Sequence, residues 1–219
     1  HGNRSVSSKC GSADVLEKLG VNIDLQPQQM KECIDSVGIC FLFAPLLHKA
    51  MKHAIGPRRE IAIRTIFNVL GPLTNPANAR SQVLGVFAPE LTEVIASVLN
   101  NLGVDRAYVV HGMDGLDEIS ISAETKISEL KKGTIVSYII SPEQFGFNRG
   151  LKDDLIGGTP EENAVIIRDI LSGKRCVQRD IVELNAAFAL AASGVAGDPG
   201  EGIVLAAESI DSGKALGVL

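Results

Sequence analysis

Tryptophan is absent from these 219 residues, and aromatic residues of all kinds amount to only 4%. With hydrophobic residues at 45%, the core has to be built from Val, Ile, Leu and Ala, which suits an α/β protein with a buried parallel sheet. No Cys-x-x-Cys pair occurs. The four cysteines, Cys10, Cys33, Cys40 and Cys176, lack the spacing of a zinc or dithiol motif and read as reduced thiols of a cytosolic protein. No uninterrupted apolar run is long enough to cross a bilayer and no signal peptide is legible, so a cytoplasmic protein with no membrane partner is expected. Runs of basic residues are missing too. Lys and Arg number 21 against 26 Asp and Glu, a formal charge of −5 with a pI of about 5.4. That balance argues against general nucleic-acid binding and leaves room for a local cationic pocket that takes a phosphorylated metabolite.

What is present is a strand–helix alternation. Helices are expected over Ala13–Leu19 and Pro27–Val37, ended by Gly20 and Gly38. Short strands are expected at Val21–Leu25 and Ile39–Phe43. A helical pattern follows from Ala44, broken at Pro57 and resumed over Ile61–Leu70, and Gly71–Pro76 reads as loop. Strands are then expected at Gln82–Phe87, Arg106–His111 and Thr134–Ile140, with helices at Pro89–Leu102, Val182–Ala192 and Ile203–Leu216. Thr159-Pro160-Glu161-Glu162 has the form of a capping box with proline at the first helical position. Asp198–Gly202 reads as a turn. The expected architecture is a mainly parallel sheet with helices on both faces.

Three tracts carry chemistry. His1 to Ser12 is small and polar and runs into a helix that Ser12 caps. Free N–H groups and the macrodipole at such a start bind anions, with Arg4, Lys9 and the serine hydroxyls in support. It is not a P-loop, since Gly-Lys-Ser/Thr is missing. Asp114-Gly115-Leu116-Asp117-Glu118 follows a strand, where α/β sheets collect ligands. Adjacent carboxylates there suit hydrated Mg²⁺, with a diphosphate completing the shell. The third tract is basic: His48, Met51 and Lys52 on one helix side, then Arg58-Arg59 beyond Pro57, where an arginine suits bidentate carboxylate binding. Each tract also has a plain reading: a serine-rich turn, an exposed acidic turn and a solvated basic helix face. Asn75 and Asn185 read as loop-closing asparagines, and His111 as a structural histidine.

Taken together, His1-Gly-Asn-Arg4 with Ser7-Ser8 and Gly11–Glu17, Arg64–Pro76, and Val110–Ser120 resemble three signatures of the anthranilate phosphoribosyltransferase family, in the same order. The resemblance covers essentially the whole chain. It implies the nucleoside phosphorylase/phosphoribosyltransferase type of α/β domain over 1–42 and 76–219, and places 43–75 with a smaller helical domain. The implied reaction is Mg²⁺-dependent transfer of phosphoribosyl from phosphoribosyl diphosphate to the amine of anthranilate, in tryptophan biosynthesis, by a homodimer.

Residue by residue, the resemblance puts His1, Asn3, His48, Met51 and Arg58 at anthranilate, with Arg59 as the alternative register for Arg58. It puts Gly2, Asn3, Arg4, Ser7, Ser8 and Ser12 at phosphoribosyl diphosphate, and Asp117 and Glu118 at Mg²⁺. The family's Gly-Thr-Gly-Gly-Asp loop, its Asn-x-Ser-Thr segment, the lysine before His1 and the N-terminal helices have no counterpart here, so a truncated chain, inactive alone, is expected. A non-catalytic relative on the same fold and a pyrimidine nucleoside phosphorylase are the competing readings.

Overall fold

The computed structural model describes residues 1–5, 9–48 and 67–219. The chain divides into two compact units, His1–Ala77 with Gly157–Arg168 and Gly217–Leu219, and Asn78–Ile156 with Asp169–Leu216.

Among the described residues of the first unit are the helices α1 (Ser12–Leu19), α2 (Pro27–Val37), the single turn α3 (Ala44–Leu47) and α4 (Phe67–Leu73). Glycine ends both α1 and α2 because the chain leaves each helix in the left-handed region, with φ of 95° at Gly20 and 87° at Gly38. Ala13, Ile23 and Phe43 form the buried centre, with Leu16, Val21, Phe41 and Leu46 packed around them.

Three local expectations fail in this unit. Val21–Leu25 is not a strand. The Asn22 side chain accepts the Asp24 N–H at 3.0 Å, an Asx turn that spends on itself a donor a ladder would need. Ile39–Phe43 forms one isolated parallel bridge, Gly2 to Phe43, instead of a strand. The Gly71–Pro76 loop is partly helix, since α4 runs to Leu73 with Pro72 inside it. Thr74 makes that possible: its hydroxyl donates to the free carbonyl of Leu70 at 2.9 Å. Asn75 closes the following turn by accepting the Ala77 N–H at 3.0 Å.

The capping box forms as expected. The Thr159 N–H donates to Glu162 Oε2 at 2.7 Å, the Glu162 N–H donates to Thr159 Oγ1 at 3.3 Å, and α6 begins at Pro160 and runs to Leu171.

The second unit holds a four-stranded sheet in the order β1 (Ser81–Gly85), β2 (Arg106–Gly112), β3 (Thr125–Lys131), β4 (Thr134–Ile140). The α/β class stands, and the sheet is mixed: β1 and β2 pair parallel, whereas β2–β3 and β3–β4 pair antiparallel. The β3–β4 pair is set by the Lys132-Gly133 turn, in which both residues take positive φ, 49° and 82°. A two-residue turn of that kind returns the chain antiparallel. The helix α5 (Leu91–Asn101) crosses from β1 to β2 and packs on β2 and β3, while α7 (Val177–Ser193) packs on β1 and β2. Tyr108 and Val110 share a cluster with Leu184 and Phe188 of α7, so by strand alternation Ala107 and Val109 face α5 on the other side.

The few aromatics are concentrated at the centre. Phe188 meets Tyr108 edge-to-face at 5.0 Å and Phe145 at 5.7 Å. Then α8 (Pro199–Asp211) starts earlier than expected, because Asp198 caps it by accepting the Glu201 N–H at 2.9 Å. A last short helix, α9, covers Lys214–Val218. Among the described residues, no helix is long and apolar enough to cross a membrane.

Candidate functional site

The candidate residues fall into two sets, one in each unit. In the first unit the opening loop is folded back on α1. Gly2 sits between neighbours: a β-carbon there would lie 2.5 Å from Ser12 Oγ and 2.9 Å from the Phe41 ring, so a larger residue would have to displace one of them. Its N–H donates to the Leu42 carbonyl at 3.0 Å, and its carbonyl accepts the Ala44 N–H at 2.8 Å. Those bonds hold His1 beside His48. The two imidazole Nε2 atoms approach to 3.0 Å and the rings meet edge-to-face at 4.9 Å. Two residues 47 positions apart in sequence, both expected at an aromatic acid, are thereby brought together. His48 ends α3 as its C-terminal cap, with φ of −107° and ψ of 63°.

Part of the helix start is satisfied from within: the Asn3 carbonyl accepts the Ala13 N–H at 3.2 Å. Ser12 is the first helical residue and not the cap; its hydroxyl donates to the Asn3 carbonyl at 3.3 Å. The cap residue is Gly11, which has no side chain, and the Asp14 carboxylate takes over by accepting the N–H groups of Gly11 at 2.9 Å and Ser5 at 3.0 Å. These two N–H bonds hold its carboxyl below the usual range, with the Arg4 guanidinium adding to the effect against some desolvation. Arg4 grips Glu17 through both carboxylate oxygens, at 2.5 and 2.8 Å, and reaches Asp14 at 3.1 Å. Arg4 is thus a clasp between loop and helix, a role its place in the sequence did not reveal. Asn3 turns the chain by accepting the Arg4 N–H on its side-chain oxygen at 2.8 Å. Ser7, Ser8, Met51, Arg58 and Arg59 lie outside the described residues.

In the second unit the loop after β2 is tied at several points. Asp114 accepts the Ser120 hydroxyl at 2.6 Å, the Ser122 hydroxyl, and the Leu116 N–H at 3.3 Å. Desolvation pushes its carboxyl up, but the two hydroxyls and the N–H outweigh that and bring it down. Asp114 is therefore occupied in holding the loop. Asp117 and Glu118 are not: among the described residues neither makes an ion pair, and both are exposed at the strand end. The Glu118 carboxyl is raised, first by partial desolvation among the surrounding residues and then by the neighbouring Asp117 charge. Two close, uncompensated carboxylates with solvent access fit a hard divalent cation that keeps several waters. They supply two ligand residues, and no third His, Cys, Asp or Glu joins them among the described residues, so oxygens of water or substrate would complete a shell.

Two further residues shape this loop. The carbonyl of Asp117 lies so close to Gly85 that a β-carbon there would fall 1.5 Å from it. A glycine ending a strand is the signal that could have found this contact. Asn185 on α7 accepts the Ile119 N–H at 3.0 Å and donates to the Ile119 carbonyl at 2.8 Å, the loop-closing role expected of it. His111 is buried, and its Nδ1 lies 2.8 Å from the Val86 carbonyl, so that nitrogen carries the proton and the ring ties β2 to the end of β1.

Comparison with known proteins bears on both sets. Residues 1–216 match the family described as "Glycosyl transferase family, a/b domain". An anthranilate phosphoribosyltransferase from Acetivibrio thermocellus is 61% identical over 216 residues, covering 99% of this chain and 63% of the relative. The crystal structure of anthranilate phosphoribosyltransferase from Thermus thermophilus superposes with a TM-score of 0.93 at 43% identity, covering 100% of this chain and 65% of that one. The Saccharomyces cerevisiae enzyme, solved in complex with phosphoribosyl diphosphate and Mg, gives 0.89 at 29% identity, covering 100% and 61%. This chain thus spans slightly less than two thirds of the length of the curated relatives it matches. With almost every residue inside the family match, the chain belongs to the glycosyl transferase family, through its a/b domain.

Proposed function

We propose that the chain is part of an anthranilate phosphoribosyltransferase, which joins anthranilate to phosphoribosyl diphosphate to give N-(5-phosphoribosyl)anthranilate and diphosphate. The observation that carries the reading is the 61% identity to such an enzyme over 216 of the 219 residues. In this reaction the bond from ribose C1 to the diphosphate oxygen breaks, positive charge builds on the ribose, and the anthranilate nitrogen lone pair forms the new bond. The amine proton leaves afterwards, so the protein's work is to orient reactants and to stabilise leaving-group charge.

In this reading Asp117 and Glu118 hold Mg²⁺, which when bound neutralises charge on the diphosphate. Gly2, Asn3, Arg4, Ser7, Ser8 and Ser12 form the phosphoribosyl diphosphate loop. Within it Arg4 is clasped to Glu17 and Asp14 of α1. His1 and His48 present an imidazole surface to the anthranilate ring, and a 3.0 Å approach of two ring nitrogens requires one to donate and the other to accept. Met51 lines the same acceptor site, and Arg58 binds the anthranilate carboxylate bidentately. Segment 43–75 belongs in this reading with a smaller helical domain. The complete enzyme is a cytoplasmic homodimer of the tryptophan pathway.

The test joins this chain to the part of the Acetivibrio thermocellus relative that it does not span. Product is then identified by mass after incubation with anthranilate, phosphoribosyl diphosphate and Mg²⁺. Phosphoribosylanthranilate is expected. Phosphorolysis of thymidine or uridine in its place would make the chain a nucleoside phosphorylase.

A further inference from the structure

We propose that Asn185 is a positioning residue for the Asp117–Glu118 carboxylate pair, acting through the backbone of Ile119; this rests on the reading that the pair holds a divalent cation. Asn185 is the one polar residue in the Leu184–Ala192 stretch of α7, in a helix interior where an alanine would be preferred. Its amide uses three bonds: Oδ1 accepts the Ile119 N–H at 3.0 Å, and Nδ2 donates to the Ile119 carbonyl at 2.8 Å and to the Ile181 carbonyl at 2.9 Å. The bond to Ile181, one turn earlier on the same helix, fixes the amide's orientation. The other two therefore hold both peptide planes that flank the Ile119 α-carbon.

The peptide that carries the Ile119 N–H is the one joining Glu118 to Ile119. Glu118 thus stands between two anchors. On one side the Asp117 carbonyl is pressed against the α-carbon of Gly85, and on the other Ile119 is clamped from α7. Beyond Ile119 the chain is held again, with the Ser120 N–H donating to Thr125 Oγ1 at 2.9 Å, and the Ile119 side chain is fully buried in the core cluster. Two adjacent carboxylates repel and would splay if their backbone were free. The clamp from a rigid helix keeps both on one short arc, the outer support on which a metal site depends.

The experiment titrates Mn²⁺ into the chain and reads free Mn²⁺ by electron paramagnetic resonance. Each protein is held at a temperature where circular dichroism shows it fully folded. Asp117→Asn and Asn185→Leu are compared with the parent chain. If Asn185→Leu does not fold, Asn185→Ser replaces it, since serine can still bond the preceding helical turn but cannot reach Ile119. The expected result is weaker Mn²⁺ binding by about tenfold or more for Asp117→Asn and by about tenfold for the Asn185 variant. Mn²⁺ affinity within about twofold of the parent for a folded Asn185 variant, with Asp117→Asn weakened, overturns the positioning role alone. Unchanged affinity for Asp117→Asn overturns the metal-site reading, and the inference with it.

Discussion

The carbonyl oxygen of Asp117 occupies the space that a side chain on Gly85 would need, 1.5 Å from the position of its β-carbon. The end of β1 and the carboxylate loop are therefore fitted to each other, backbone against backbone. Gly85→Ala should push the loop away at a cost of about 1–3 kcal/mol, as overpacking of a close contact does. It should also weaken divalent-cation binding. Thermal unfolding and a Mn²⁺ titration of the variant check both. A variant as stable as the parent, with unchanged Mn²⁺ affinity, would show that the loop can move aside freely.

Glu118 is set against its own environment. Its folded-state carboxyl is raised above the 4.5 of an ordinary glutamate, so ionising it costs stability. That cost is absent below pH 4.5 and complete once pH exceeds the raised value. Glu118→Gln should therefore raise the unfolding temperature slightly at pH 7, and the gain should shrink as pH falls toward 4.5. The same variant should bind Mn²⁺ more weakly. A loss of stability at pH 7 would contradict this.

Asp14 behaves in the opposite sense. Its carboxyl is held below 3.8 in the fold, so its contribution is full above pH 3.8 and disappears as pH drops through the lowered value. Asp14→Ala removes the group that caps α1 and should cost about 1 kcal/mol at neutral pH. Urea unfolding of parent and variant should converge at the acid end. A difference that persists there would assign the effect to packing instead.

Arg58 is tested through substrate response. In the chimera that completes the chain, Arg58→Ala should raise the KM for anthranilate by tenfold or more, about 1.4 kcal/mol of lost binding, with much less effect on phosphoribosyl diphosphate. Arg59→Ala should leave both nearly unchanged. The reverse pattern would move the contact to Arg59.

Sequence signals with strong local physics read through to the structure. Thr159-Pro160-Glu161-Glu162 has a hydroxyl, a fixed φ and a carboxylate at the spacing a helix start needs, and it forms one. Gly20 and Gly38 end their helices because no other residue sits as easily at positive φ. Strand β3 is not legible in the sequence, since Lys126, Glu129 and Lys131 dilute its alternation; its burial comes from β2, β4 and α5, which no local pattern encodes.

The Asp198-Pro199 pair fits a turn in the sequence, but the same residues cap a helix equally well and α8 starts there. At the candidate site the carboxylate pair is visible as residue types, whereas the pairing of His1 with His48 is visible only in the fold. What is not legible is competition within the loop: Asp14 takes the N–H groups of Gly11 and Ser5, and Arg4 turns to Glu17. Such choices depend on a fold-back of the chain that no local pattern encodes.

The proposed function gives this chain the Mg²⁺-diphosphate wall of an anthranilate phosphoribosyltransferase. The most direct test follows anthranilate fluorescence in the completed chimera with saturating phosphoribosyl diphosphate while Mg²⁺ is varied, for the parent and for Asp117→Asn. The account predicts Mg²⁺-dependent consumption of anthranilate by the parent and a strong shift to higher Mg²⁺ for the variant. A folded chimera that leaves anthranilate untouched at every Mg²⁺ concentration, or a variant with the parent's Mg²⁺ response, would contradict it.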